Sequence, residues 1–175
     1  KSFFLFGPRG TGKTTCVRAN TPNGLYLDLL EGNLYKKLLS EPQSLEQLIP
    51  NNFNDWIILD EVQKVPELLN EVHRLIESRG SRFLLTGSSA RKLRRGGVNL
   101  LGGRARTKYL HPLTRGELGS HFDLPRAMAR GLLPSIYFSD DSQADLEAYA
   151  APRSLNRRRF KGGHAEDIGK KTMIS

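Results

Sequence analysis

The stretch "LFGPRGTGKTT", Leu5–Thr15, is a glycine-rich loop that follows an apolar run and ends in a lysine and two threonines. From Gly7 to Thr14 it fits the pattern G-x-x-x-x-G-K-[ST] without a gap. Glycines allow the positive φ angles by which successive backbone N–H groups surround a phosphate. In this pattern the lysine reaches phosphate oxygens and the hydroxyl after it ligates Mg²⁺. The stretch therefore predicts a nucleotide-binding loop. The predicted binding residues are Gly7, Pro8, Arg9, Gly10, Thr11, Gly12, Lys13, Thr14 and Thr15.

The residues on either side of the loop have the context that such a loop needs. Ser2–Phe6 reads as a buried strand, and Lys13–Ala19 as the start of a helix. The N-terminal dipole of that helix points at the same anion as the loop.

Further apolar runs alternate with helical patterns along the chain. Strands are predicted at Leu25–Leu29, Asp55–Glu61, Arg82–Ser89 and Arg106–Pro112. An amphipathic helix is predicted between Pro66 and Gly80. This alternation is typical of an α/β fold with a parallel sheet covered on both faces. Ligands of such sheets bind at the carboxyl ends of the strands, where the polar strand ends of this chain would meet.

Two acids end the predicted strand Asp55–Glu61. Asp60 fits the role of a Mg²⁺ ligand, together with Thr14. Glu61, next to the metal ligand, can activate a water molecule, which hydrolysis needs and phosphoryl transfer to a second substrate does not. The alternative is that Glu61 caps the following helix.

The run "TGSS" at Thr86–Ser89 places hydroxyls at the end of another strand. Ser88 is the predicted contact to the terminal phosphate or the attacking water, with Thr86 as its alternate. The competing interpretation is a cap for the helix that starts at Ala90.

The segment from Arg91 to Lys108 contains seven Lys or Arg residues. Arg104 is the candidate for an arginine that neutralises transition-state charge, in its own chain or in a neighbour, with Arg106 and Arg115 as competitors. The same cluster could contact nucleic-acid phosphates.

Composition predicts a globular chain of 175 residues with a net charge of +9. We expect a core at residues 1–112, a helical extension at 113–150 and a disordered basic tail at 151–175. No apolar run is long enough for a membrane helix. The single cysteine, Cys16, is expected to be small and buried. Because the chain starts at Lys1 on a strand, we expect it to be a fragment.

The motifs together resemble a known family. "GPRGTGKTT", "IILDEVQKVPELLNEVHRLIE", "RFLLTGSSARKLRRGGVNLLGGRA" and "YLHPLTRGEL" are similar to the AAA-type P-loop ATPases that precede a DUF4143 domain in prokaryotic proteins. The resemblance implies a P-loop NTPase fold with strand order 5-1-4-3-2. It also implies ATP rather than GTP, a cytoplasmic location and the Walker A and Walker B roles described above. A protein or nucleic-acid partner would bind through the missing C-terminal domain, and assembly into an oligomer is left open.

Three functions were weighed from the sequence. The first is Mg²⁺-dependent ATP hydrolysis or an ATP-driven switch, with Lys13, Glu61, Ser88 and Arg104 as catalytic residues. The second is a nucleic-acid-binding module with vestigial ATPase activity. The third, a small-molecule kinase, is disfavoured by Glu61.

Overall fold

The sheet is parallel and has five strands. The computed structural model describes residues 1–95 and 101–161. The strands are β1 (Ser2–Phe6), β2 (Leu25–Asp28), β3 (Trp56–Asp60), β4 (Arg82–Gly87) and β5 (Ala105–Tyr109). Their order is β2-β3-β4-β1-β5. Read from the other edge this is 5-1-4-3-2, so the predicted strand order is confirmed.

Helices and turns connect the strands. The α-helices are α1 (Lys13–Asn20), α2 (Gly32–Ser40), α3 (Leu68–Arg79), α4 (Ala90–Arg95), α5 (Arg115–Leu118), α6 (Leu124–Arg130), α7 (Pro134–Tyr137) and α8 (Ser142–Lys161). Short 3-10 helices lie at Pro42–Leu48, Val62–Lys64 and Gly119–His121.

The core lies on the central strands. β3 and β4 are buried over most of their length, and α3 packs against β4 and the 3-10 helix Pro42–Leu48. The apolar face of α3 is fully buried, and Gly80 ends the helix with a φ of 65°. The left-handed conformation at that position suits glycine and satisfies the last carbonyls of the helix. The sequence pattern thus fixes both the face and the end of α3.

The described chain forms two compact units, which divide between Leu113 and Thr114. In the second unit, Thr114 and Glu117 form a reciprocal capping box at the start of α5. The hydroxyl of Tyr137 accepts from the Asp123 backbone N–H at 2.9 Å and donates to the His121 carbonyl at 2.8 Å. This buried tyrosine fixes the turn between α5 and α6.

Two expectations from the sequence are corrected. Helix α8 continues to Lys161, so the predicted disordered tail is wrong for residues 151–161, while residues 162–175 lie outside the described part. Arg, Leu and Lys are good helix formers, and lengthening an existing helix avoids the cost of a new nucleus. Cys16 is exposed rather than buried, because Lys13 and Val17, one turn apart, form the buried face of α1.

No helix in residues 1–95 and 101–161 combines the length and the apolar character needed to cross a membrane.

Candidate functional site

An open cavity of about 430 Å³ lies at the carboxyl ends of the strands. Strands β1, β3 and β4 are parallel neighbours, so the loops that follow them meet at one edge of the sheet. This is where parallel sheets bind their ligands. The cavity is lined by Arg9, Gly10, Gly12, Lys13, Thr14, Leu30, Glu61, Gln63 and Ser88.

The loop after β1 owes its path to three glycines. Gly10 and Gly12 have φ angles of 77° and 83°, in the left-handed region that other residues avoid. A Cβ atom at Gly7 would lie 2.2 Å from the carbonyl oxygen of Leu110. Glycine is therefore required at Gly7 because the backbone after β5 approaches so closely.

Lys13 is held under the loop. Its Nζ donates to the carbonyl oxygens of Gly7 and Pro8, both at 2.8 Å, and only 6% of the residue is exposed. Burial lowers the pKa of Lys13, while the charges of Glu61 and Asp60 oppose that effect. The loop therefore keeps a cationic group at the cavity wall, bonded to backbone oxygens.

Other loop residues have different surroundings. The Thr11 hydroxyl is buried and donates to the Pro8 carbonyl at 2.9 Å, which ties the loop to itself. Thr15 is exposed and is not part of the cavity wall. Arg9 is exposed and lines the cavity.

Asp60 is the centre of a hydroxyl network. It ends β3, is 5% exposed, and accepts hydrogen bonds from the hydroxyls of Thr14 (3.0 Å), Tyr26 and Thr86. Burial, together with the bond to Asp60, raises the pKa of Tyr26 to about 12. A buried carboxylate is costly unless hydrogen-bonded, and these hydroxyls satisfy it.

Glu61 adopts a conformation that is rare outside glycine. Its φ is 59° and its ψ is 41°, and its backbone N–H donates to the Thr86 hydroxyl at 3.3 Å. Its carboxylate accepts a hydrogen bond from Gln63 and makes no capping bond to the 3-10 helix that follows. Backbone strain of this kind clusters at functional sites. The geometry therefore disfavours the capping alternative for Glu61.

The candidate hydroxyls of the fourth strand divide into two positions. Thr86 is fully buried and bonds to Asp60, whereas Ser88 lines the cavity. Ser88 is thus the hydroxyl of this pair that a ligand in the cavity can reach.

Arg104 does not belong to the cavity of its own chain. It lies directly before β5, and β5 runs parallel to β1, so Arg104 is at the opposite edge of the sheet from the glycine-rich loop. There it pairs with Glu77 on α3. The expectation that Arg104 neutralises charge in this cavity within the same chain is therefore wrong, because nearness to a conspicuous motif in sequence did not account for strand direction.

Three residues of the site were not predicted from the sequence. Gln63 and Leu30 line the cavity, and Tyr26 bonds to Asp60. Gln63 had a usable signal, because it follows Glu61 by two residues. Tyr26 could be placed only once β2 was known to pair with β3.

The predicted magnesium ligands fit that ion. Thr14 and Asp60 offer hydroxyl and carboxylate oxygens side by side, the hard ligands that Mg²⁺ prefers. Within the described residues there is no cluster of three or more His, Cys, Asp or Glu residues, which argues for a metal held with few protein ligands.

Known proteins share this fold. A structure of katanin, solved for its self-assembly, has a TM-score of 0.52 and 16% identity over 94% of this chain and 63% of that chain. A crystal structure of NtrX from Brucella abortus has a TM-score of 0.42 and 16% identity, with 63% and 32% of the chains covered. Drosophila ORC bound to DNA has a TM-score of 0.46 and 18% identity, with 89% and 48% covered.

The chain thus spans between 32% and 63% of the length of these structures. No match was found among curated proteins. A family model described as an AAA domain matches residues 1–119, which include the glycine-rich loop, Asp60, Glu61 and Ser88. The chain therefore belongs to the AAA domain family.

Proposed function

We propose that this chain binds ATP with Mg²⁺ and hydrolyses it, as the ATP-driven switch domain of a larger AAA-type ATPase related to those that carry DUF4143. The observation that carries the proposal is one cavity whose wall includes Lys13, Thr14 and Glu61, with Asp60 bonded to Thr14 beside it. The AAA domain match over residues 1–119 supports it.

Each residue has a distinct task in this proposal. The backbone N–H groups of the glycine-rich loop and Lys13 bind the phosphates. Thr14 and Asp60 hold Mg²⁺, which supplies positive charge against the phosphate oxygens. Ser88 contacts the terminal phosphate or the water. Glu61 takes a proton from the water as its oxygen attacks the terminal phosphorus and the bond to the leaving ADP oxygen breaks.

The test is ATP turnover of Glu61→Gln with Mg²⁺ present. We expect kcat to fall by about 100-fold or more while ATP still binds, because general bases contribute about 10² to 10⁴ to rate. Glu67→Gln is the matched control, since Glu67 is exposed six residues further along the chain and should leave turnover unchanged. Full activity of Glu61→Gln would refute the role of Glu61 and the proposed hydrolysis mechanism.

The nucleic-acid-binding alternative rests on the basic segment Arg91–Lys108 and the basic tail. Residues 96–100 and 162–175, and several basic side chains next to them, lie outside what the structure describes. The hypothesis therefore stays with the sequence, and its sign would be binding that weakens steeply as salt rises.

A further inference from the structure

The side chain of Gln63 lies between the ends of two strands. Gln63 sits in the 3-10 helix Val62–Lys64, directly after β3 and Glu61. Its Nε2 donates to Glu61 Oε2 and approaches the Ser88 hydroxyl oxygen at 3.5 Å. It also lines the same cavity as Glu61 and Ser88. One amide therefore joins the candidate base to the candidate phosphate contact.

The place of this amide is built into the fold. Val62 and Val65 on either side are fully buried and anchor the turn. A Cβ atom at Gly87 would lie 2.4 Å from Gln63 Oε1, so the amide occupies space that only glycine at the end of β4 leaves open. The side chain is therefore confined rather than free to sample solvent.

The amide is held at a cost in hydrogen bonding. An ionised carboxylate only accepts hydrogen bonds, so Gln63 must turn its NH₂ group toward Glu61. Its Oε1 is then buried and has no hydrogen-bond partner among the described residues. Leaving a buried acceptor unpaired costs about 1–3 kcal/mol. Unsatisfied groups of this kind call for a functional explanation.

We propose that Gln63 is a positioning residue for Glu61. Its NH₂ group holds the Oε2 oxygen of Glu61 and leaves the Oε1 oxygen of that carboxylate for the attacking water. Through Ser88 it also connects the base to the end of β4, so that both are placed together. This inference rests on the proposed hydrolysis of ATP.

The test is steady-state ATP hydrolysis by Gln63→Met, which keeps the length of the side chain and removes the donor. We expect kcat to fall by about 10-fold or more, a part of what a general base supplies, while KM and ATP affinity change by less than about 2-fold. Gln47→Met is the matched control, because Gln47 is exposed on the 3-10 helix Pro42–Leu48 and should leave kcat unchanged.

A double-variant cycle separates positioning from a merely structural role. If Gln63 acts through Glu61, adding Gln63→Met to Glu61→Gln should cause almost no further loss of kcat, because residues that act as a unit are not additive. A further 10-fold loss in that background would overturn the proposal.

The remaining outcomes distinguish the two levels of inference. If Glu61→Gln is fully active, the proposed function fails. If Glu61→Gln is inactive but Gln63→Met and Gln63→Ala both fold and keep kcat within about 2-fold of wild type, only the role of Gln63 fails. Loss of folding or of ATP affinity in both variants would mark Gln63 as structural and would also overturn the positioning role.

Discussion

Asp60 is the residue on which most of the site's polar contacts converge. It accepts from hydroxyls on three different elements: Thr14 on α1, Tyr26 on β2 and Thr86 on β4. Each of these donors is neutral, so the carboxylate keeps its full negative charge while it is satisfied. A buried anion held by neutral donors, rather than by Lys or Arg, remains available to a cation. That arrangement suits a metal ligand better than a structural ion pair.

The raised pKa of Tyr26 predicts a change of stability in alkaline solution. An unfolded tyrosine ionises near pH 10, whereas folded Tyr26 ionises only near pH 12. The contribution of this group is therefore complete below about pH 10 and is lost as the pH rises through 12. Tyr26→Phe should lower the free energy of unfolding at neutral pH by about 1 kcal/mol and should make its decline above pH 10 shallower than in wild type.

Urea unfolding at a series of pH values between 8 and 12 measures this effect. Tyr109→Phe is the control, because Tyr109 is 55% exposed on β5, and this variant should follow the wild-type profile. Parallel profiles for wild type and Tyr26→Phe would show that the bond to Asp60 does not matter for stability.

At the scale of elements, sequence patterns were most informative where one local cause decides the structure. The apolar run Trp56–Asp60 became β3, and Gly80 ended α3 as expected. The sequence could not show which side chains meet across strands. Tyr26 reaches Asp60 only because β2 pairs with β3, and Arg104 lies at the far edge because β5 runs parallel to β1.

The contact between the glycine-rich loop and the segment after β5 gives an element-scale prediction. Gly7→Ala places a methyl group 2.2 Å from the Leu110 carbonyl oxygen, which is backbone and cannot rotate away. We expect a loss of about 1–3 kcal/mol in the free energy of unfolding, together with weaker ATP binding, because the loop or the end of β5 must move.

The matched control for this variant is Gly32→Ala at the start of α2. A Cβ atom there meets no atom within 4 Å, and alanine is the better helix former. Gly32→Ala should therefore be neutral or stabilising by up to about 1 kcal/mol. Equal effects of the two variants in chemical denaturation would mean that the close approach at Gly7 is relieved without cost.

At the scale of the whole molecule, a ligand that binds only the folded chain must stabilise it. ATP with Mg²⁺ at 100 times its Kd should add about 2.7 kcal/mol to the free energy of unfolding. For a chain of 175 residues this corresponds to a rise in Tm of about 5–10 °C. GTP at the same concentration should give a smaller rise if ATP is the preferred nucleotide.

Lys13→Ala shows whether that stabilisation comes from the cavity at the sheet edge. Without nucleotide its Tm should stay close to wild type, because the variant loses two hydrogen bonds to the loop but also removes a charge whose burial is unfavourable. With ATP and Mg²⁺ its Tm should barely rise, since the cation that meets the phosphates is gone. An undiminished rise in Tm would place the nucleotide elsewhere on the molecule. A protein that melts far below wild type before any ligand is added would instead assign Lys13 to the framework of the loop.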